Sequence, residues 1–85
     1  MTVWKFAIPV SDEFQIALPE GAQVLSVMVQ FDAPQIWVLV DPKAPPILRH
    51  FVLRGTGHPI EKVGRFVGSF QIAGGSLVFH LFEAA

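Results

Sequence analysis

Residues 54–61 read Arg54-Gly55-Thr56-Gly57-His58-Pro59-Ile60-Glu61 and place a guanidinium, a hydroxyl, an imidazole and two glycines in one short stretch. A Gly-Thr-Gly loop exposes backbone N–H groups and can form a nest for an anion. Arg54 would neutralise phosphate charge there, with Arg65 as a second cation. Thr56 and the N–H of Gly57 would donate hydrogen bonds, and His58 would donate or stack. The stretch has neither the lysine of a Walker loop nor a following helix, so a small anion is expected rather than a triphosphate cradled as in an NTPase. Read as structure alone, the glycines turn the backbone and Pro59 stiffens it.

Other chemistries find little support. His50, His58 and His80 do not pair at metal-ligand spacing, and the chain has no cysteine. Ser69 and Ser76 do not sit in a Gly-x-Ser-x-Gly elbow. Asp12 and Glu13 are adjacent, so on a strand they point to opposite faces and form no carboxylate dyad. His80 alternates with apolar neighbours on the last strand and reads as a packed, hydrogen-bonded residue. The chain is therefore expected to be no enzyme and to use no metal or cofactor. Trp4 and Trp37 stand apart among eight phenylalanines and no tyrosine. An indole joins apolar area to one donor, which suits a subunit interface, a core or base stacking.

Charge is unevenly placed. Residues 1–42 set Lys5 against Asp12, Glu13, Glu20, Asp32 and Asp41, a balance of −4. Residues 43–65 set Lys43, Arg49, Arg54, Lys62 and Arg65 against Glu61, a balance of +4. The basic residues thus flank the Gly-Thr-Gly stretch, although a solvated basic strand pair would give the same pattern. This is too modest for a duplex DNA binder, which shows a strongly basic face.

These residues must be positioned by strands, because period-two alternation runs through most of the chain. Strands are expected at residues 2–8, 13–18, 23–31, 36–40, 47–54, 65–72 and 77–82. In residues 23–31, alternation sets Val24, Ser26, Met28 and Gln30 against Leu25, Val27, Val29 and Phe31. Residues 36–40 are apolar on both faces, as in a central or interface strand. Turns are expected at Pro19-Glu20-Gly21-Ala22 and Ala73-Gly74-Gly75-Ser76, where glycine supplies positive φ, and at Asp32-Ala33-Pro34-Gln35. The prolines of residues 41–46 predict an extended crossover. Seven short strands and no helix predict an all-β fold, a small antiparallel β-sandwich or barrel forming a single domain over residues 1–85.

Hydrophobic residues make up 52 % of the chain and charged residues only 15 %. A domain this small has too much surface to hide that many apolar side chains, so self-association or a partner is expected. No apolar run approaches the length of a membrane span, and no signal peptide is visible, so a cytoplasmic protein is expected.

Five segments carry a family resemblance. They are Trp4-Lys5-Phe6, Leu18-Pro19-Glu20-Gly21-Ala22, Trp37-Val38-Leu39-Val40-Asp41-Pro42, Gly55-Thr56-Gly57-His58-Pro59-Ile60, and Gly68-Ser69-Phe70-Gln71 with Gly74-Gly75-Ser76-Leu77-Val78-Phe79-His80-Leu81-Phe82-Glu83. Together they resemble a family of short proteins encoded by bacteriophages and prophages. The resemblance implies a phage-encoded accessory protein outside the virion, in the cytoplasm of the infected bacterial host. It supplies no catalytic residues. By analogy of lifestyle, such a protein would be an anti-defence sponge. It would be a homo-oligomer that sequesters a nucleotide-type immune signal, such as a cyclic nucleotide or an ADP-ribose-like molecule. The ligand set would be Arg54, Thr56, Gly57, His58 and Arg65, with Trp37 or Trp4 stacking a base. The alternatives are an inhibitor that binds a host defence protein directly, and a minor virion or assembly protein.

Overall fold

The computed structural model describes residues 1–61 and 64–84. Lys62, counted above with the basic segment, lies outside the described residues. Seven strands form two antiparallel sheets: β1 (Thr2–Ala7), β2 (Glu13–Pro19), β3 (Gln23–Gln30), β4 (Ala33–Val40), β5 (Pro46–Gly55), β6 (Arg65–Ile72) and β7 (Leu77–Glu83). The first sheet has the order β1-β4-β3 and the second β2-β5-β7-β6. The fold is the antiparallel all-β sandwich that the alternation predicts.

Alternation builds the core. On β4, Ile36, Val38 and Val40 are buried, while Gln35, Trp37 and Leu39 point to the other face and are half-buried. The buried set meets Leu18, Phe51, Leu53, Phe70 and Leu81 of the second sheet. Each such side chain taken fully out of water contributes about 1.5–3 kcal/mol. β4 is the central strand of its sheet, which accounts for its apolar character on both faces.

Two bulges depart from strict alternation. The β3–β4 register shifts between Val24 and Ser26, so Val24 and Val27 both enter the core. The expectation that these valines lie on opposite faces is thereby corrected, because Leu25 is the extra residue. The β6–β7 register shifts between Phe66 and Gly68 in the same way. The two bulged strands meet across the sandwich. A Cβ on Gly68 would stand 2.9 Å from Cγ1 of Val27, so glycine is what lets the sheets close there. Arg65 Nη2 donates to the carbonyl of Val24 at 2.9 Å, linking the same two strands.

The turns also differ in detail. Gln30 pairs with Ala33, so the β3–β4 hairpin turns on Phe31 and Asp32 alone, and β4 begins earlier than the prolyl turn at 32–35 implied. Both turn residues have positive φ, 52° and 62°. That is the type I′ geometry favoured by strand twist, here without glycine. Gly21, Gly74 and Gly75 take the expected positive φ, and Ala73 joins them. The crossover at 41–45 bends instead of staying extended: the Lys43 N–H donates to Asp41 Oδ1 at 3.0 Å, and Ala44 N–H to the Asp41 carbonyl.

One ion pair stands on the core side of the second sheet. Arg49 Nε donates to Glu83 Oε2 at 2.5 Å and Nη2 to Oε1 at 2.8 Å, a bidentate pair. Its Nη1 donates to the carbonyl of buried Ala22, tying the β2–β3 turn to the sheet. The hydrogen bond to Glu83 raises the pKa of Arg49, opposed by desolvation and assisted by the carboxylate charge.

Candidate functional site

The second sheet turns one face to its partner sheet and the other to solvent. On the solvent face, the registers of β5, β7 and β6 place Arg54 opposite His80 and His80 opposite Ser69. These three residues form one row across three strands. Thr56, just past the end of β5, completes it. Its Oγ1 lies 2.8 Å from His80 Nε2, and Ser69 Oγ lies 2.7 Å from Nδ1. Both ring nitrogens of His80 are therefore held by hydroxyls, which can donate or accept. The expectation of a hydrogen-bonded strand histidine is met, with partners that sequence spacing did not reveal.

The adjoining row on the same face is apolar: Val52, Phe82 and Phe66. The rings of Phe66 and Phe82 are tilted at 56° with centroids 5.3 Å apart, and Phe66 is exposed. Strict alternation would group Phe66 with buried Phe70. The bulge after Phe66 turns it to solvent instead. From Arg54 to Phe66 is two strands across and two residues along, a backbone separation on the order of 10 Å.

The Gly-Thr-Gly loop closes the end of this face. The His58 N–H donates to the Gly55 carbonyl at 3.1 Å, and the Thr56 N–H to Val78. Gly57 has φ 87°, the value needed at the third position of a type II turn. The Gly57 N–H makes no hydrogen bond among the described residues. The His58 ring folds back over Gly55, where a Cβ would stand 3.0 Å from Nδ1 and Cε1. Beside the loop is a shallow cavity of about 300 Å³, lined by Thr56, His58, Ser76, Leu77 and Phe79 among others. The loop thus offers an amide, an imidazole and hydroxyls next to apolar surface.

Arg54 leans toward β2. Its Nη1 donates to the carbonyls of Asp12 at 2.7 Å and Leu53 at 3.0 Å. A groove beside it is lined by Glu13, Val52, Pro59 and Glu61. One cation among two carboxylates suits a ligand that joins an anionic group to hydroxyl or amine donors better than it suits bare phosphate.

The structure keeps Arg54 and Thr56 together with Gly57 beside them, turns the His58 ring to the Gly55–Phe79 side of the sheet, and leaves three expected partners elsewhere. Arg65 is at the opposite end of the β6–β7 pair, opposite Glu83, with its guanidinium bridging to β3. Trp37 points outward from the first sheet between Lys5 and Ser26. Trp4 is on β1, at the edge of that sheet, with its ring 6.3 Å from Phe6. Within one chain, strand order divides the seven residues between two sheets and two ends. Among the described residues, no group of three or more His, Asp or Glu side chains could hold a metal ion. No helix among them is long and apolar enough to cross a membrane.

A family model described as "Domain of unknown function (DUF7352)" matches residues 1–85. The chain belongs to the DUF7352 family. No curated protein and no solved structure matches the chain. The row Arg54–His80–Ser69, the aromatic pair Phe66–Phe82 and the Gly-Thr-Gly loop are therefore features of this DUF7352 chain read from its own geometry.

Proposed function

We propose that this DUF7352 protein binds a small phosphorylated ligand of nucleotide type and holds it without turning it over. The observation that carries the reading is the meeting of a polar row, Arg54–His80–Ser69 with Thr56, and an aromatic pair, exposed Phe66 on half-buried Phe82, on one sheet face. Arg54 engages the phosphate, the Gly57 amide donates to it, and Phe66 stacks the base. Glu13 and Glu61 accept from ribose hydroxyls or an exocyclic amine. Sequestration agrees with the resemblance to phage-encoded accessory proteins, and on this reading the protein acts as a homo-oligomer on an immune signal in the cytoplasm of an infected bacterium.

Ser69 and His80 stand within the reach of a nucleophile and base. The group orienting the imidazole is the hydroxyl of Thr56, not a carboxylate, so the pair is read as part of a binding surface. Isothermal titration calorimetry with cyclic nucleotides and ADP-ribose tests the proposal. Arg54→Ala is expected to weaken binding by about 1.5–3 kcal/mol. Unchanged affinity in a folded Arg54→Ala variant removes Arg54 from the site.

A second reading has its own observation. On the outer face of the first sheet, Val3, Leu25 and Met28 are exposed beside half-buried Trp37 and Leu39. Such a surface suits contact with a host defence protein, and a stoichiometric host partner without any bound nucleotide would favour it.

A further inference from the structure

The two sheets have four edge strands, and three of them are blunted. β3 and β6 each carry a bulge, lie against one another, and are joined by the Arg65–Val24 hydrogen bond. β2 ends on Pro19, which has no N–H to offer, and carries Glu13 at its start. β1 has none of these protections. It is a regular six-residue strand, Thr2–Ala7, with no proline, no bulge in its pairing to β4, and every residue except Phe6 exposed. Its one charge is Lys5, and the ammonium of Lys5 is drawn across the sheet to Gln30 Oε1 on β3, at 2.5 Å. Among the described residues the outer backbone groups of β1 have no partner, and the edge is flanked by Val3 and Trp4, which are 49 % and 40 % exposed.

We propose that β1 pairs with β1 of a second copy of this chain, antiparallel about a two-fold axis, to join two three-stranded sheets into one of six strands. Registers centred on Val3 and on Trp4 both keep the two lysines apart, and the one centred on Trp4 pairs more of Thr2–Ala7. Centred on Trp4, the pairing sets Val3 opposite Lys5 of the second copy and Thr2 opposite Phe6, and keeps the two lysines apart. A register centred on Lys5 would place like charges in direct opposition. The Trp4-centred register also covers Trp4 with its own counterpart. Val3 carries the contact onto the outer face that holds Leu39, its partner on β4, and Trp37. A two-fold pairing uses the same edge in both copies and closes at the dimer. The inference specifies the self-association within the proposed function, and does not depend on ligand binding, which is read by a separate titration.

Sedimentation velocity of the untagged protein, up to about 100 μM, tests it. Wild type is expected to be a dimer of 9.4 kDa chains. Val3→Lys opposes a lysine to Lys5 of the second copy and is expected to raise the dimer dissociation constant at least about tenfold. Met28→Lys, on the outer face of the first sheet away from the edge, is expected to leave the dimer intact. A monomeric wild type, a higher stoichiometry, or a Val3→Lys dimer as tight as wild type would overturn the proposal, and so would dissociation by Met28→Lys equal to that by Val3→Lys. Should Val3→Lys not fold, amide exchange of wild type decides. Protection of the Thr2–Ala7 amides that rises with protein concentration supports the edge pairing, and protection independent of concentration overturns it.

Discussion

Ser69 and His80 face one another across β6 and β7, with Ser69 Oγ 2.7 Å from Nδ1, while Thr56 Oγ1 holds the other ring nitrogen at 2.8 Å. The imidazole thus clamps the Gly-Thr-Gly loop to the sheet face. His80→Ala would release both hydroxyls. It is expected to weaken ligand binding by about tenfold and to lower stability by about 1 kcal/mol, since these are exposed hydrogen bonds. Ser69→Ala is expected to leave the fate of the ligand unchanged: mass spectrometry of bound ligand returns it unmodified from wild type and variant alike. A product formed by wild type and lost in Ser69→Ala would make the pair catalytic.

Phe66 is the aromatic that the account assigns to stacking. Phe66→Ala is expected to reduce affinity by about 1–3 kcal/mol, the range of base–aromatic stacking. Its contact with Phe82 is on the solvent face, so the melting temperature should change little. Trp37→Phe, on the other sheet, is expected to bind as wild type. Calorimetry on the two variants separates the assignments.

Gly68 and Val27 are coupled through the close approach of the sheets. Gly68→Ala forces a Cβ to within 2.9 Å of Val27 Cγ1 and is expected to destabilise by about 1–3 kcal/mol, the range for overpacking. Val27→Ala alone leaves a cavity and also destabilises. The double variant is expected to be more stable than the sum of the two losses implies. Urea denaturation of the four proteins measures the coupling, and strict additivity would contradict it.

The β3–β4 hairpin stores strain. Phe31 and Asp32 both hold positive φ, and Phe31 is 93 % exposed, so its ring is packed against little. Replacing the pair by Asn-Gly suits the type I′ turn and removes an exposed aromatic. The double substitution is expected to stabilise by about 1 kcal/mol, read as a higher denaturation midpoint with an unchanged slope.

The alternation of apolar and polar residues made the strands legible, along with the central position of residues 36–40 and the glycine turns. Those features are local, and side-chain period and backbone φ preference report them directly. The bulges at Leu25 and Val67 were not legible, because an extra residue in one strand is defined only by the partner it fails to oppose. They turn Val27 into the core and Phe66 to solvent, against strict alternation. The site was legible as far as residues 54–57, which the chain itself keeps together. Its remaining members, Ser69, His80, Phe66 and Phe82, come from β6 and β7 and join it through strand order. The same strand order sent Arg65 to the other end of the sheet, and Trp4 and Trp37 to the first sheet.

Native mass spectrometry of the untagged protein, before and after incubation with a pool of cyclic nucleotides and ADP-ribose-like molecules, decides between a ligand sponge and an empty surface. A stoichiometric mass increase equal to one intact, unmodified nucleotide-type ligand per site is expected, reduced in Arg54→Ala. A wild-type protein that stays bare across the pool would contradict ligand sequestration and leave residues 54–61 as a structural loop.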